Sequence, residues 1–239
     1  MTEQRREEFV VEIAASLDDV WEMLTTDRGV SAWYGVDAAI DLRPGGVYRV
    51  SWGDEVAETV VDAVEPPRRL RLVYDPDEPS GAEEWLLEHA DGVTHVRLIH
   101  TLPDPGVDNW DDYYGDIRRG WRLFLASLCW ALDGASTPWR TASCRTIAAP
   151  ERDAGWAHVL DALGLDGTPE PGDTLPGIGA VRLVDAPHSL FVTDGDTSLL
   201  CDLEGAGDQL VIYTQAAIHG ADDPAARERL LGLFAPAAG

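Results

Sequence analysis

The chain contains no lysine, so all 18 of its basic residues are arginines, and they are set against 43 aspartates and glutamates in 239 residues. The formal net charge of −25 is spread along the chain: residues 1–140 carry 13 Arg and 28 acids, a net of −15, and residues 141–239 carry 5 Arg and 15 acids, a net of −10. Both halves would repel nucleic-acid phosphates and anionic membranes, so neither is predicted as a partner. An ordinary soluble surface and a salt-adapted one both fit this composition.

Cysteine is also scarce. Cys129, Cys144 and Cys201 are odd in number and far apart, which excludes a disulfide framework and the paired spacing of a zinc site. The six histidines show no ligand spacing either, so no metal is predicted. The sequence has no nucleophilic serine elbow, phosphate-binding loop or dinucleotide-binding glycine motif, and it therefore predicts no cofactor.

Long apolar runs are missing as well. No stretch of 18 apolar residues occurs, so no transmembrane helix is predicted. Residues 2–8 are charged and lack the apolar core of a secretory signal. Together with the few cysteines, these features predict a cytoplasmic protein.

Strand and helix patterns fill the first half of the chain. Alternating apolar residues and turn signals predict strands at 9–15, 36–42, 47–52, 55–64, 69–74, 83–89 and 93–102. Ser16 is a predicted N-cap, and residues 25–35 are predicted to form a second short helix or a loop. A long helix from about 109 to 132 carries one wide apolar stripe, which suits it to close the concave face of a curved antiparallel sheet. The predicted class is therefore α+β, in a helix-grip arrangement.

The opening of the chain recurs 134 residues later. Val11–Trp21 reads as a strand, a break and a helix start, and so does Arg145–Pro150 with Trp156 behind it. Later echoes pair Ser189–Val192 with Arg69–Leu72. The predicted domains are therefore a complete helix-grip unit at 1–138 and a shortened, degenerate repeat at 139–239. The alternative is a C-terminal extension that packs on the first domain without a grip fold of its own.

Three further details of the proposed repeat are predicted. Val184–Pro187 is taken to echo Val61–Ala63. The Gly- and Pro-rich segment 166–179 is expected to replace the part of the first unit that carries Trp33, Tyr34, Gly45 and Gly46, so the second unit is expected to lack the aromatic entrance of the first. A closing helix is predicted at 225–234.

Several motifs, in order and spacing, carry a resemblance over residues 9–133. They are Ile13-Ala14-Ala15 with Val20-Trp21, Trp33-Tyr34-Gly35, Asp41-Leu42-Arg43-Pro44-Gly45-Gly46, Val61 to Pro66, Glu84-Trp85 and Gly120-Trp121. This half of the chain resembles the START/SRPBCC superfamily, and within it the activator of heat-shock-protein-90 ATPase homologue family.

The resemblance implies a Bet v 1-like fold with a cavity between the sheet and the long helix. Members include binders of lipids and other apolar molecules, aromatase/cyclases, stress-linked proteins and many without a known activity, so the fold does not define the function. Eukaryotic co-chaperone members use an additional domain that nothing in this chain matches.

Aromatic side chains supply most of the candidate binding residues, because seven of the nine tryptophans fall in the first unit. An aromatic-lined pocket would suit a flat or apolar ligand, and plain core packing is the alternative. Four of the candidates, Trp33, Tyr34, Trp110 and Tyr114, are expected near the mouth of the cavity. The predicted ligand-binding set is Trp33, Tyr34, Trp52, Trp85, His100, Trp110, Tyr114 and Trp121.

His100 is the one weak catalytic candidate. It shares a strand face with Val96 and Leu98, so it points inward if they do, and it could act as an acid or base or be a satisfied core histidine. Of the adjacent Glu84 and Trp85, which alternate on a strand, Trp85 is expected to face inward.

Three functions remain open. The first is binding of a small apolar or aromatic molecule by the first unit. The second is an aromatase/cyclase or hydrolase type of enzyme, in which His100 would work with Tyr114 or Tyr34. The third is a protein-interaction adaptor or co-chaperone-like protein whose cavity is filled by side chains.

Overall fold

The computed structural model describes residues 4–53, 55–77, 81–103, 110–134, 138–147, 151–204, 210–219 and 225. The chain divides into two compact units, Met1–Thr137 and Pro138–Gly239. Within the described residues, no helix is long and apolar enough to cross a membrane.

The first unit is an α+β fold built on one antiparallel sheet. Its strands are β1 (Gln4–Ile13), β2 (Asp37–Ile40), β3 (Val47–Ser51), β4 (Val56–Glu65), β5 (Arg69–Val73), β6 (Ala82–Ala90) and β7 (Val93–Pro103). Its helices are α1 (Leu17–Thr25), α2 (Asp27–Trp33) and α3 (Trp110–Asp133). The sheet is curved and its order is β1-β7-β6-β5-β4-β3-β2, so the first and last strands pair and the rest follow as a meander.

Local sequence signals explain where these elements begin. Ser16 caps α1 by accepting a hydrogen bond from the Asp19 amide at 3.1 Å, as the capping pattern predicts. The first strand begins at Gln4 rather than at the predicted Phe9. Its early residues are polar and give no apolar alternation, yet they pair in register with β7 up to Pro103. Strand pairing, not hydrophobicity, extends this strand.

The long helix α3 covers the concave face of the sheet, as the helix-grip arrangement requires. It packs against α1, α2 and β1, and its buried residue Trp121 meets Trp85 of β6 edge to face. The inward residues of the sheet alternate with solvent-facing ones, as Leu70 and Leu72 do with Arg69 and Arg71. The core of this unit therefore lies between α3 and the sheet.

The second unit is a six-stranded antiparallel sheet with one described helix. Its strands are β8 (Trp139–Ile147), β9 (Thr174–Leu175), β10 (Gly179–Asp185), β11 (Ser189–Asp194), β12 (Thr197–Glu204) and β13 (Leu210–Ile218), and its helix is α4 (Arg152–Ala162). The order is β8-β13-β12-β11-β10-β9, again with the first and last strands paired and the rest in a meander. Trp156 and Val159 of α4 pack on apolar residues of this sheet.

Two turns have the same hydrogen bonds in both units. In the first unit, the Gly45 amide donates to the Val61 carbonyl, and the Val61 amide donates to the Gly46 carbonyl. In the second unit, Gly172 and Asp173 make the same two hydrogen bonds with Val181. Gly45 and Gly172 have φ of 81° and 101°, which glycine adopts without the strain that a Cβ brings. Segment 166–179, which is expected from the sequence to replace the part of the first unit that carries Gly45 and Gly46, therefore retains this turn, with Asp173 as its second residue.

The strand register also corrects one of the predicted echoes. The β4–β5 ladder shifts between Val61 and Ala63, and the β10–β11 ladder shifts between Val181 and Leu183. Aligned on these bulges and turns, Val184 corresponds to Val64 rather than to Val61. The echo of Arg69–Leu72 in Ser189–Val192 agrees with this register. The predicted closing helix at 225–234 lies outside the described residues, apart from position 225.

Candidate functional site

Five of the predicted ligand-binding residues come together as one aromatic cluster in the first unit. Tyr34 lies at its centre, with ring centroids 5.1 Å from Trp33 and 5.2 Å from Trp121 in stacked geometry. Trp52 and Phe124 meet the same ring edge to face at 4.9 and 4.8 Å. The fifth predicted member, Trp85, packs edge to face on Trp33 and Trp121. These geometries are the ones that aromatic quadrupoles favour.

Trp33 is not at a mouth, contrary to the prediction. Its side chain is 0% exposed, and its indole N–H donates to the carbonyl of Met23 at 2.9 Å. Because α2 turns back against α1, the residue that ends α2 points into the core. Tyr34 and Trp52 are only half-buried, so the accessible edge of the cluster lies there. The indole N–H of Trp52, the residue after β3, donates to the carbonyl of Tyr34, the residue after α2, at 2.8 Å.

A buried polar chain runs alongside this cluster. Glu83 of β6 and His100 of β7 are directly opposite in register and are 6% and 3% exposed. The hydroxyl of Tyr74, just after β5, is 2.7 Å from a Glu83 carboxylate oxygen and 2.7 Å from His100 Nε2. On the other side of the imidazole, the indole N–H of Trp121 donates to His100 Nδ1 at 3.0 Å.

The donors along this chain can be assigned from its two ends. Trp121 is only a donor, so His100 Nδ1 must accept, and the neutral imidazole then carries its proton on Nε2. His100 Nε2–H therefore donates to the Tyr74 oxygen, and the Tyr74 hydroxyl donates to Glu83. The hydroxyl position thus requires a group that accepts one hydrogen bond and donates another.

Burial shifts the titration of both buried groups. Desolvation raises the pKa of Glu83 to about 7, although hydrogen bonds from Tyr74 and Trp85 act in the opposite direction. Desolvation lowers the pKa of His100 to about 4. The proton that an imidazolium would add at Nδ1 would also face the indole N–H of Trp121. His100 is therefore neutral at pH 7, and Glu83 titrates near that pH.

Tyr114, another of the predicted ligand-binding residues, does not join this site. Tyr114 lies at an open cleft of about 320 Å³ that Arg5, Asp111 and Arg118 also line. The guanidinium of Arg5 lies over its ring at 5.3 Å, and burial is the main reason that the pKa of Tyr114 is raised. The side chain of Trp110 lies outside the described residues. The predicted partners of His100, Tyr114 and Tyr34, are replaced by Tyr74 and Trp121.

Sequence reasoning missed Glu83 and Tyr74 as site residues, although a signal for each was present. Trp85 faces inward as predicted, and a period of two then places Glu83 on the same side. Likewise Tyr74 continues the inward alternation of Leu70 and Leu72. Among the described residues, no three His, Cys, Asp or Glu side chains converge as a metal ion would require.

The first unit is thus an α+β helix-grip domain with an aromatic interior and one buried polar chain. The sequence model of a family described as "Activator of Hsp90 ATPase homolog 1-like protein" (AHSA1) matches residues 14–133, which is half of the chain. The chain belongs to the AHSA1 family. No curated protein sequence matches it.

Solved structures resemble the chain at low identity. The Aha1 dimer from Colwellia psychrerythraea is 21% identical over 54% of this chain and 96% of its own, with a TM-score of 0.47. An AHSA1-like protein from Rhizobium etli is 24% identical over 55% and 84%, with a TM-score of 0.44. DynU16, titled a putative protein in the dynemicin biosynthetic locus, is 19% identical over 96% and 93%, with a TM-score of 0.47. At such identities and scores, no functional role follows from these structures.

Proposed function

We propose that the first unit binds a small, flat, apolar or aromatic molecule beside the aromatic cluster of Trp33, Tyr34, Trp52, Trp85, Trp121 and Phe124. The observation that carries this proposal is the continuity of the cluster, in which one ring, Tyr34, contacts four others. Binding sites for small molecules are typically apolar and aromatic, with a few converging polar groups to orient the ligand. Glu83 and His100 supply such groups beside the rings.

The half-buried edge of the cluster is where a ligand would enter. Tyr34, Trp52 and Phe124 are each partly exposed there, whereas Trp33 and Trp85 behind them are buried. A flat ring added at this edge would gain aromatic contacts of the kind already made between the side chains, each contributing about 0.5–1.5 kcal/mol beyond burial of area.

A neutral fluorescent probe tests the proposal. N-phenyl-1-naphthylamine fluoresces when it leaves water, and it carries no charge for an acidic protein to repel. We expect saturable binding to the wild-type chain, and about 10-fold weaker binding to Tyr34→Leu, which keeps an apolar side chain but removes the central ring.

Trp156→Leu is the matched control, because it removes a buried indole from the core of the second unit. Its affinity for the probe should equal that of the wild type. Absence of saturable binding, or equal losses in both variants, would contradict the proposal. Circular dichroism melts of each variant establish that the affinities refer to folded protein.

A proton-transfer enzyme is the second candidate, favoured by the near-neutral pKa of Glu83 in a buried site. In this case Glu83, rather than His100, would serve as the acid or base. Recovery of an added aromatic compound in altered form, with no alteration by Glu83→Gln, would distinguish this candidate from simple binding.

We also propose that residues 139–239 are a shortened repeat of the same fold. Three shared features support this: the strand order, the bulge in β4 and in β10, and the glycine turn. Within the described residues, the second sheet has six strands and the first has seven.

A further inference from the structure

We infer that Glu83 and His100 form a hydroxyl-binding pair, and that the molecule taken up by the first unit is an aromatic compound bearing a hydroxyl group, which displaces the side chain of Tyr74. This inference rests on the proposed function of the first unit. It adds the class of the ligand and the point at which its polar group is held.

The first step of the argument is the chemistry of the position that the Tyr74 hydroxyl occupies. It accepts from His100 Nε2 and donates to Glu83, at 2.7 Å in both cases. A ketone or ether cannot donate to the carboxylate, and a carboxylate ligand would be repelled by it. A neutral hydroxyl satisfies both neighbours, and a phenol brings with it the flat ring that the neighbouring cluster favours.

The second step is the location of Tyr74. It is 40% exposed, although its hydroxyl reaches two groups that are almost fully buried. It comes directly after β5, and its ring lies against Gly81, where an added Cβ would be 2.8 Å from Tyr74 Cδ2. A ring at the end of a strand can turn outward without opening the core. The side chain of Tyr74 thus occupies the position as an exchangeable phenol.

The third step is the second unit, in which the same row of the sheet is apolar. Glu83 lies between Leu72 and His100 across three strands. The corresponding row of the second sheet is Val192, Leu199 and Ala216. All three of these residues are buried, at 0%, 1% and 0% exposed. A sheet with this strand order therefore forms with apolar residues at the positions of the polar pair. Burying Glu83 and His100 costs free energy, so folding alone does not explain their presence, whereas ligand binding does.

The experiment compares two ring compounds that differ in one hydrogen-bond donor, 2-naphthol and 2-methoxynaphthalene, by titration calorimetry at pH 8, where Glu83, with a pKa of about 7, is mainly the carboxylate. We expect the wild-type chain to bind 2-naphthol at least 10-fold more tightly, because the ether cannot donate to Glu83. Glu83→Leu, which introduces the residue of the second unit, should reduce this preference to less than about 2-fold. Glu84→Leu, on the opposite face of the same strand, should retain it.

Tyr74→Phe provides a second, independent readout. It removes the internal hydroxyl that competes for the pair, so 2-naphthol should bind about 10-fold more tightly than to the wild type. Unchanged or weaker binding to Tyr74→Phe would overturn the inference, and this result is available even if Glu83→Leu does not fold.

The outcomes separate the inference from the function on which it rests. Equal affinity of the wild type for both compounds would overturn the hydroxyl-binding pair and leave the proposed function standing. Binding of neither compound would count against both.

Discussion

The carboxyl group of Glu83 is withdrawn from water without a positive charge beside it. Its hydrogen-bond partners are the neutral side chains of Tyr74 and Trp85, and desolvation outweighs both in setting its pKa. The same carboxylate raises the pKa of Tyr48, which burial already raises well above its ordinary value. At the scale of single residues, the site is therefore a place where the protonated carboxyl is favoured.

This pKa predicts how stability depends on pH. The pKa of Glu83 rises on folding from 4.5 to about 7, so the folded state binds the proton more tightly and stability from this group falls as pH rises from about 4.5 to 7. His100 acts oppositely, because its lowered pKa of about 4 contributes stability above pH 6.5 that is lost as the pH falls towards 4. Both effects contribute to the wild-type profile, in opposite directions.

Glu83→Gln removes only the first effect. We expect the free energy of unfolding of the wild type, relative to Glu83→Gln, to fall by about 3 kcal/mol between pH 4.5 and 7. Urea denaturation at several pH values measures this difference. The control is Leu87→Ile, a substitution at a buried position of the same strand that changes no titratable group, so the difference should not vary with pH. A constant difference for Glu83→Gln would show that its carboxyl is not desolvated.

At the scale of elements, the junction between α1 and α2 positions the aromatic cluster. Thr26 serves both helices: its hydroxyl donates to the Glu22 carbonyl at 2.9 Å and accepts from the Gly29 amide at 2.9 Å. Gly29 then lies so close to α1 that an added Cβ would be 2.3 Å from the Glu22 carbonyl oxygen. This close approach directs Trp33, four residues later, into the core.

Gly29→Ala should therefore destabilise the protein, although alanine is the better helix former. We expect a loss of at least about 2 kcal/mol in the free energy of unfolding, since the clash is with backbone that cannot move away cheaply. Gly120→Ala in α3 is the matched control, because its Cβ would meet only Phe124 at 3.9 Å. That change should stabilise the protein by about 0.5–1 kcal/mol. Equal effects of the two substitutions would contradict the described junction.

At the scale of the whole molecule, the net charge of −25 is the dominant feature. Both units contribute to it, so self-repulsion is not confined to one of them. Arginines partly offset it in surface pairs such as Arg69 with Glu65 and Arg97 with Glu8, but exposed pairs of this kind contribute little each. Repulsion between the remaining carboxylates opposes the compact state.

Salt should therefore stabilise the protein at neutral pH. Raising NaCl from 20 to 500 mM shortens the screening length several-fold, and we expect the melting temperature at pH 7 to rise by about 5 °C or more. The same change at pH 4.3, close to the isoelectric point, should have little effect because the net charge is near zero. Equal salt effects at both pH values would show that charge repulsion is not the cause.

The sequence by itself determined the α+β class, the long closing helix and the family of the first unit. Those features depend on periodicity, turn residues and the order of motifs such as Arg43-Pro44-Gly45-Gly46, which are local along the chain. It also predicted that Trp85 and His100 face inward, because alternation in a strand defines the two faces. Their burial confirms that prediction.

Only the tertiary structure decided which of these inward residues meet. Tyr74 follows β5, Glu83 and His100 lie in β6 and β7, and Trp121 lies in α3, so their contacts depend on strand register and on the placement of α3. Spacing along the chain cannot show that Tyr114 lies apart at another cleft, or that Trp33 is turned into the core by the Gly29 contact. Pairing across strands is a non-local property, so it is set by packing rather than by local sequence.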